Sequence, residues 1–183
     1  MPVLEDKLLI WKLKRGNADA LCRIYEKYRD DLVRIAAGLL NDVGAAEDVL
    51  HDVFLVLVRS AGNLEIRESL KGYLMSCVAN RARNLNRTKR VQETVDLNGV
   101  EPTVSNLKGP DQCVICDEEF KHLYNAITQL PYEQKEAVLL RIQGSMKFKD
   151  IANLQATSIK TTLSRYSYGL DKLRTMLNKE AEK

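Results

Sequence analysis

Apolar residues return every third or fourth position through Leu21, Ile24, Tyr25, Tyr28, Leu32, Ile35, Ala36 and Leu39, through Val49, Leu50, Val53, Phe54 and Leu57, and through Leu70, Tyr73, Leu74, Cys77 and Val78. That spacing puts each set on one face of a helix, whereas a strand would require strict alternation. Breakers are scarce. With 9 Gly and 4 Pro in 183 residues, the chain lacks the frequent turns that a β-sandwich or barrel demands. An all-α protein is expected, with Asn17 and Asp19 as candidate N-caps of the first of these helices and a turn over 41–44 opening the second.

A chain of 183 residues holds one ordinary domain or two small ones. The stretch 88–111 contains Asn98-Gly99, Pro102 and Gly109-Pro110, has little apolar periodicity, and is too long for a connection inside a compact domain. We read an interdomain linker there, with further helices expected over 120–129, 132–143, 148–154 and 158–178. The organisation expected is two small helical domains, 1–90 and 116–183, joined by a flexible linker, 91–115.

Charge is segregated along the chain. Residues 41–58 carry Asp42, Glu47, Asp48 and Asp52 and no Lys or Arg. Residues 59–90 reverse this, with eight basic residues against Glu65 and Glu68. Residues 91–119 are acidic again, Lys108 being the one cation, and 143–174 return to positive with six basic residues against Asp150 and Asp171. Two basic surfaces beside an acidic segment suit nucleic acid, and suggest that the segment, or packing of the two domains, masks one of them in the free chain.

Near the C-terminus, Phe148 to Leu154, then Gln155-Ala156-Thr157, then Ser158 to Arg165 have the spacing of a helix-turn-helix. Ile151 and Ala152 are expected to pack on Ile159 and Leu163, leaving Lys160, Thr161, Ser164 and Arg165 to project from a second helix whose first turn suits a major groove. An ordinary helical hairpin with a solvated polar face accounts for the spacing equally well. The helix 68–90 mixes Tyr73, Leu74, Cys77, Val78 and Leu85 with Asn80, Arg81, Arg83, Asn84, Arg87 and Lys89, a combination suited to single-stranded or melting DNA, or simply to a solvated basic face.

Metal, cofactor and catalytic signals are weak. Cys113-Val-Ile-Cys116 with His122 is one ligand short of a structural zinc site, and unexceptional linker cysteines are favoured over zinc or a redox pair. No cofactor is expected. Without a Walker loop, nucleophile elbow or dinucleotide fingerprint, the sequence offers no residue on which an enzymatic activity would rest. No run approaches the length of a membrane span, and the first residues lack a signal peptide's basic and apolar regions, so a cytoplasmic protein without membrane insertion is expected.

Two segments together resemble the extracytoplasmic-function (ECF) group of bacterial RNA polymerase sigma factors. Ala46-Glu47-Asp48-Val49-Leu50-His51-Asp52-Val53-Phe54-Leu55 is similar to the group's core-binding segment, with His51 at a usual Gln position. Lys71-Gly72-Tyr73-Leu74 and Val78-Ala79-Asn80-Arg81-Ala82, closed by Arg87, are similar to its promoter-melting segment, with Tyr73 for Trp. In the second half, Leu130-Pro131, Val138-Leu139-Leu140, the run Phe148 to Ala152, and Thr161, Ser164 and Arg165 resemble sigma region 4. There Ala156 and Lys160 stand at usual Gly positions and Leu163 at a usual Lys.

The resemblance implies an alternative sigma factor that binds core RNA polymerase and directs promoter recognition and melting, with the chemistry left to polymerase. It assigns Glu47, Asp48, His51, Asp52 and Phe54 to polymerase, and Tyr73, Asn80, Arg81, Asn84 and Arg87, with the loop 60–69, to the minus-ten element. Ser158, Lys160, Thr161, Ser164 and Arg165 fall to the minus-thirty-five element. Partners are then core RNA polymerase and promoter DNA, an anti-sigma protein being left open. The alternative is a stand-alone two-domain helix-turn-helix regulator that binds DNA without polymerase.

Overall fold

The computed structural model describes residues 2–64, 66, 69–96 and 118–181, and every regular element among them is helical. The elements are α1 (Pro2–Lys14), α2 (Ala18–Leu40), α3 (Val43–Ser60), a 3-10 turn (Ala61–Asn63), α4 (Leu70–Asp96), α5 (Glu118–Thr128), α6 (Tyr132–Ile142), α7 (Phe148–Leu154) and α8 (Ile159–Ala181). Asn17 caps α2 by accepting from the Ala20 amide at 2.9 Å. Asp42 caps α3 in the same way, from Ala45 at 3.0 Å. Asn41 closes α2 in the left-handed region (φ 56°), which Asn tolerates better than most residues. Two features depart from expectation: α1 was not foreseen, and α4 runs on to Asp96, six residues into the segment read as linker. The rest of that segment lies outside the described residues.

The first half is built around α2, whose buried stripe Ile24, Tyr28, Leu32, Ile35 and Leu39 meets Val49, Val53 and Leu57 of α3 and Leu74, Val78 and Ala82 of α4. α1 seats Leu9 and Leu13 on this core and is pinned by a polar contact. The Tyr28 hydroxyl donates to the buried Asp6 carboxylate at 2.7 Å, and Lys27 reaches the same group at 2.8 Å. A buried acid so satisfied fixes the helix without leaving a polar atom unpaired.

α6 and α7 continue this core rather than forming a separate one. Leu139, Leu140, Met146 and Ile151 belong to the same buried cluster as α2, α3 and α4, while Ala126, Leu130, Val138 and Leu173 make a smaller one between α5, α6 and α8. Gly38 makes the approach of α6 to α2 close, since a Cβ there would lie 2.8 Å from Leu139 Cδ1. Lys135 is drawn into the same seam, only 4% exposed, its ammonium donating to Asn41 Oδ1 at 2.8 Å.

Burial pulls the Lys135 ammonium down to about 8. In the unfolded chain it would titrate near about 10.4, so between about pH 8 and 10 the unfolded state holds a proton that the folded state has released, and stability rises with pH there. Below that window both states hold the proton and the burden is constant. Lys135→Met is therefore expected to be more stable at pH 7, by up to about 3 kcal/mol, and to lose the rise in thermal midpoint that the native chain shows between about pH 8 and 10.

Candidate nucleic-acid interface

α3 turns Glu47, Asp48 and His51 fully outward and leaves Asp52 half-buried at its edge. Phe54 is different. It is 7% exposed and packs edge-on against Tyr25 with ring centroids 5.0 Å apart, so its assignment to polymerase contact is corrected to a core role. The helix places Leu55, Val56 and Val58 on the outside instead, 40%, 50% and 46% exposed. They lie one to two turns beyond Asp48, His51 and Asp52, at spacings that share a face. The sequence carried that signal, but the match of Phe54 to a motif obscured it. The outcome is an acidic strip continuing into an aliphatic one, the pairing of charge and apolar area that protein interfaces use.

On α4, Asn80, Asn84 and Arg87 stand exposed at i, i+4 and i+7, forming one polar stripe. Tyr73 is half-buried, and burial pushes its phenol above the ordinary value. Arg81 does not stand free. Its Nε and Nη2 reach Asp52 Oδ2 at 2.9 and 2.6 Å, so two residues assigned to different partners are each other's partner. Both side chains keep close to half their surface in solvent, and a pair in that setting is worth about 1 kcal/mol at most, little enough for either to be recruited elsewhere. Within the loop 60–69, Glu65, Arg67 and Glu68 lie outside the described residues.

Arg83, one of the basic residues of this helix but not one assigned to the minus-ten element, is central. Through Nη1 it donates to the Leu154 carbonyl at 2.8 Å, and through Nη2 to both carboxylate oxygens of Glu136 at 2.7 and 2.8 Å. Glu136 is only 1% exposed. Gln155 donates to the same carboxylate at 3.0 Å, and Arg165 donates to Gln155 Oε1 at 2.9 Å. One polar chain thus runs from α4 through α6 to α8. Arg83, Arg87, Glu136, Gln155 and Arg165 line a single cleft of about 450 Å³. The two surfaces expected to meet separate promoter elements border the same groove.

The helix-turn-helix is present as α7, a turn and α8. Ser158 caps α8, accepting from the Thr161 amide at 3.0 Å and sharing a hydrogen bond with the Thr161 hydroxyl at 2.9 Å. Its first task is therefore to start the helix. Lys160, Thr161 and Ser164 face outward, while Arg165 is half-buried against Gln155. The expected packing of Ile159 and Leu163 onto α7 does not occur. The inward stripe is Thr162, Tyr166, Gly169 and Leu173, and the two aliphatics are exposed. Gly169 sets this phase by letting α8 close on α6, where a Cβ would meet Val138 Cγ2 at 2.8 Å.

Among the described residues no three His, Cys, Asp or Glu side chains gather as a metal would need. Cys113 and Cys116 lie outside the described residues, and His122 is exposed on α5.

Residues 24–91 match sigma-70 region 2. The chain is 23% identical to the RNA polymerase sigma-H factor of Pseudomonas aeruginosa over 169 residues, covering 88% of each chain. To the RNA polymerase sigma factor CarQ of Myxococcus xanthus it is 26% identical, covering 91% of this chain and 94% of the relative. The fold is similar to that of the sigma factor RpoE of Bartonella quintana, solved with the anti-sigma factor NepR (TM-score 0.64, 20% identity, 85% of this chain and 97% of that one). It is also similar to CnrH, solved with the cytosolic domain of CnrY (TM-score 0.67, 17% identity, 95% and 97%).

Over most of its length the chain is thus similar to RNA polymerase sigma factors, ECF members among them. Sigma factors are transcription initiation factors, and the matched region 2 contains both the outer face of α3 and the stripe on α4.

The turn of the helix-turn-helix offers a local test. Ala156 sits at φ 49°, a left-handed conformation that costs a residue with a Cβ roughly 1 kcal/mol and glycine almost nothing. Ala156→Gly is expected to raise the stability of the chain by about 1 kcal/mol in urea melts, less whatever the added freedom of the unfolded glycine removes.

Proposed function

We propose that this sigma factor docks on core RNA polymerase through the outer face of α3 and presents α4 and α8 to the minus-ten and minus-thirty-five promoter elements. The observation that carries the reading is the adjacency, inside the matched region, of an acid-and-aliphatic face on α3 and an Asn80, Asn84, Arg87 stripe on α4. The acidic residues supply register and fast encounter, and Leu55, Val56 and Val58 supply the apolar area that holds the complex. Amide and guanidinium groups on α4 have the chemistry to hold an opened strand by its bases and phosphates. Polymerase performs the chemistry and this chain supplies address and strand capture, in the cytoplasm where both partners are found. None of its helices is long and apolar enough to cross a membrane, among the described residues.

In this reading 1–90 and 116–183 act as separate domains when bound to promoter, and α4's extension leads into the connection between them. The free chain is closed, with Arg87 and Arg165 lining one cleft, so engaging two promoter elements at once requires the halves to part. An anti-sigma protein is a third partner we propose, on the strength of the two similar folds having been captured with such proteins. Nothing observed favours a stand-alone regulator.

Asp48→Lys combined with Leu55→Asp is expected to weaken binding to core polymerase at least roughly tenfold, with helical content unchanged, because both side chains are exposed. Phe54→Ala, by contrast, is expected to lower stability by about 3–5 kcal/mol through loss of buried contacts. Native affinity in the double variant, measured by competition for core enzyme, contradicts the assignment of this face.

A further inference from the structure

The recognition helix is seated in an unusual phase. It buries Thr162 completely, with the hydroxyl donating to the Ser158 carbonyl at 3.1 Å, and leaves Ile159 and Leu163 exposed at 47% and 44%. Stability alone favours the opposite arrangement, since burying an aliphatic side chain is favourable and burying a hydroxyl is at best neutral. Ile159 and Leu163 are four residues apart and so form one continuous aliphatic patch. The patch begins at the first residue of α8, directly after the Ser158 cap. Lys160 and Ser164 stand exposed beside it. Its setting is cationic, as residues 143–174 carry six basic residues against two acidic ones.

We infer that Ile159 and Leu163 read thymine, by van der Waals contact with the C5 methyl groups in the major groove of the upstream promoter element. This rests on the assignment of α8 to that element. The occupant follows from the surroundings: a polyanion is drawn by the cations, and within a major groove the thymine methyl is the apolar group that an aliphatic side chain can recognise. The rise between positions four apart on a helix is about 6 Å, close to two base steps of about 3.4 Å, so the pair suits two thymines within two steps of each other. Arg165 lies on the opposite flank of the same helix beside Gln155, which leaves hydrogen-bond readout to that side and methyl readout to this one.

The test uses holoenzyme reconstituted from this chain and core RNA polymerase. A promoter-library selection yields the preferred upstream element, and each thymine in it is replaced in turn by deoxyuridine, which removes the C5 methyl and nothing else. The expected result is a loss of affinity of about fourfold per methyl at one or two thymines, with that loss abolished in Ile159→Ala or Leu163→Ala holoenzyme. Both substitutions replace an exposed residue by a better helix former, so folding is retained. An upstream preference that is insensitive to deoxyuridine, or equally sensitive in the Ala variants, overturns the inference and leaves the assignment of α8 standing. Loss of polymerase affinity in the Ala variants with the deoxyuridine profile unchanged overturns it too, and makes the patch a protein contact. Absence of any upstream preference overturns the assignment of α8 together with the inference.

Discussion

A carboxylate that is 1% exposed organises the chain. Glu136 is shielded from bulk solvent, and its burial is tolerable because Arg83 and Gln155 surround it with donors at 2.7 to 3.0 Å. Removing one member of such a pair costs about 3–5 kcal/mol where the other stays buried, although the intact pair adds little net stability over an apolar replacement. Its value lies in specificity of arrangement. With Arg83 also holding the Leu154 carbonyl, α4, α6 and the end of α7 are fixed in one register, and α8 follows through Arg165 and Gln155. A buried pair at a seam differs from one in a core in a useful respect. If the halves part, both ions return to water, and the penalty for breaking the pair largely disappears.

The same seam explains how the charge pattern is used. Either the acidic segment 91–119 or packing of the two domains was expected to mask a basic surface, and the contact that faces Arg83 comes from α6, a helix of the other half. Lys135, the residue before Glu136, faces Asn41 at the end of α2, and the Tyr124 hydroxyl reaches the Ala37 carbonyl at 3.4 Å. These contacts, with Gly38 against Leu139, tie both halves at several points over one apolar surface. Closure is therefore a property of packing and of specific polar groups together, and net charge by segment is too coarse to reveal it.

What the sequence disclosed follows from what periodicity can report. The positions of α2, α3, α6 and α7 were legible, because each has one apolar stripe and a recognisable start at Asn17, Asp42, Pro131 or Phe148. α1 was not, because Leu4, Leu8 and Trp11 are exposed beside the buried Leu9 and Leu13, which blurs its stripe. Phe54 and Leu55 were confused because a motif match names a residue without saying which way it points. Ile159 and Leu163 were placed inward by hydrophobicity, whereas the close approach permitted by Gly169 rotates α8 so that Thr162 goes in. The pairs Arg81 with Asp52 and Arg83 with Glu136 join residues 29 and 53 apart, beyond any reading of single helices.

The proposed function requires that the closed free chain open on polymerase. Energy transfer between fluorophores attached at Glu26→Cys in α2 and Ser167→Cys in α8, with the native cysteines replaced by Ser, follows the separation of the halves directly. The prediction is efficient transfer in the free chain, a fall when core RNA polymerase is added, and a partial fall without polymerase in Arg83→Ala. Transfer that is equally weak in the free and bound chains, or equally strong in both, contradicts it.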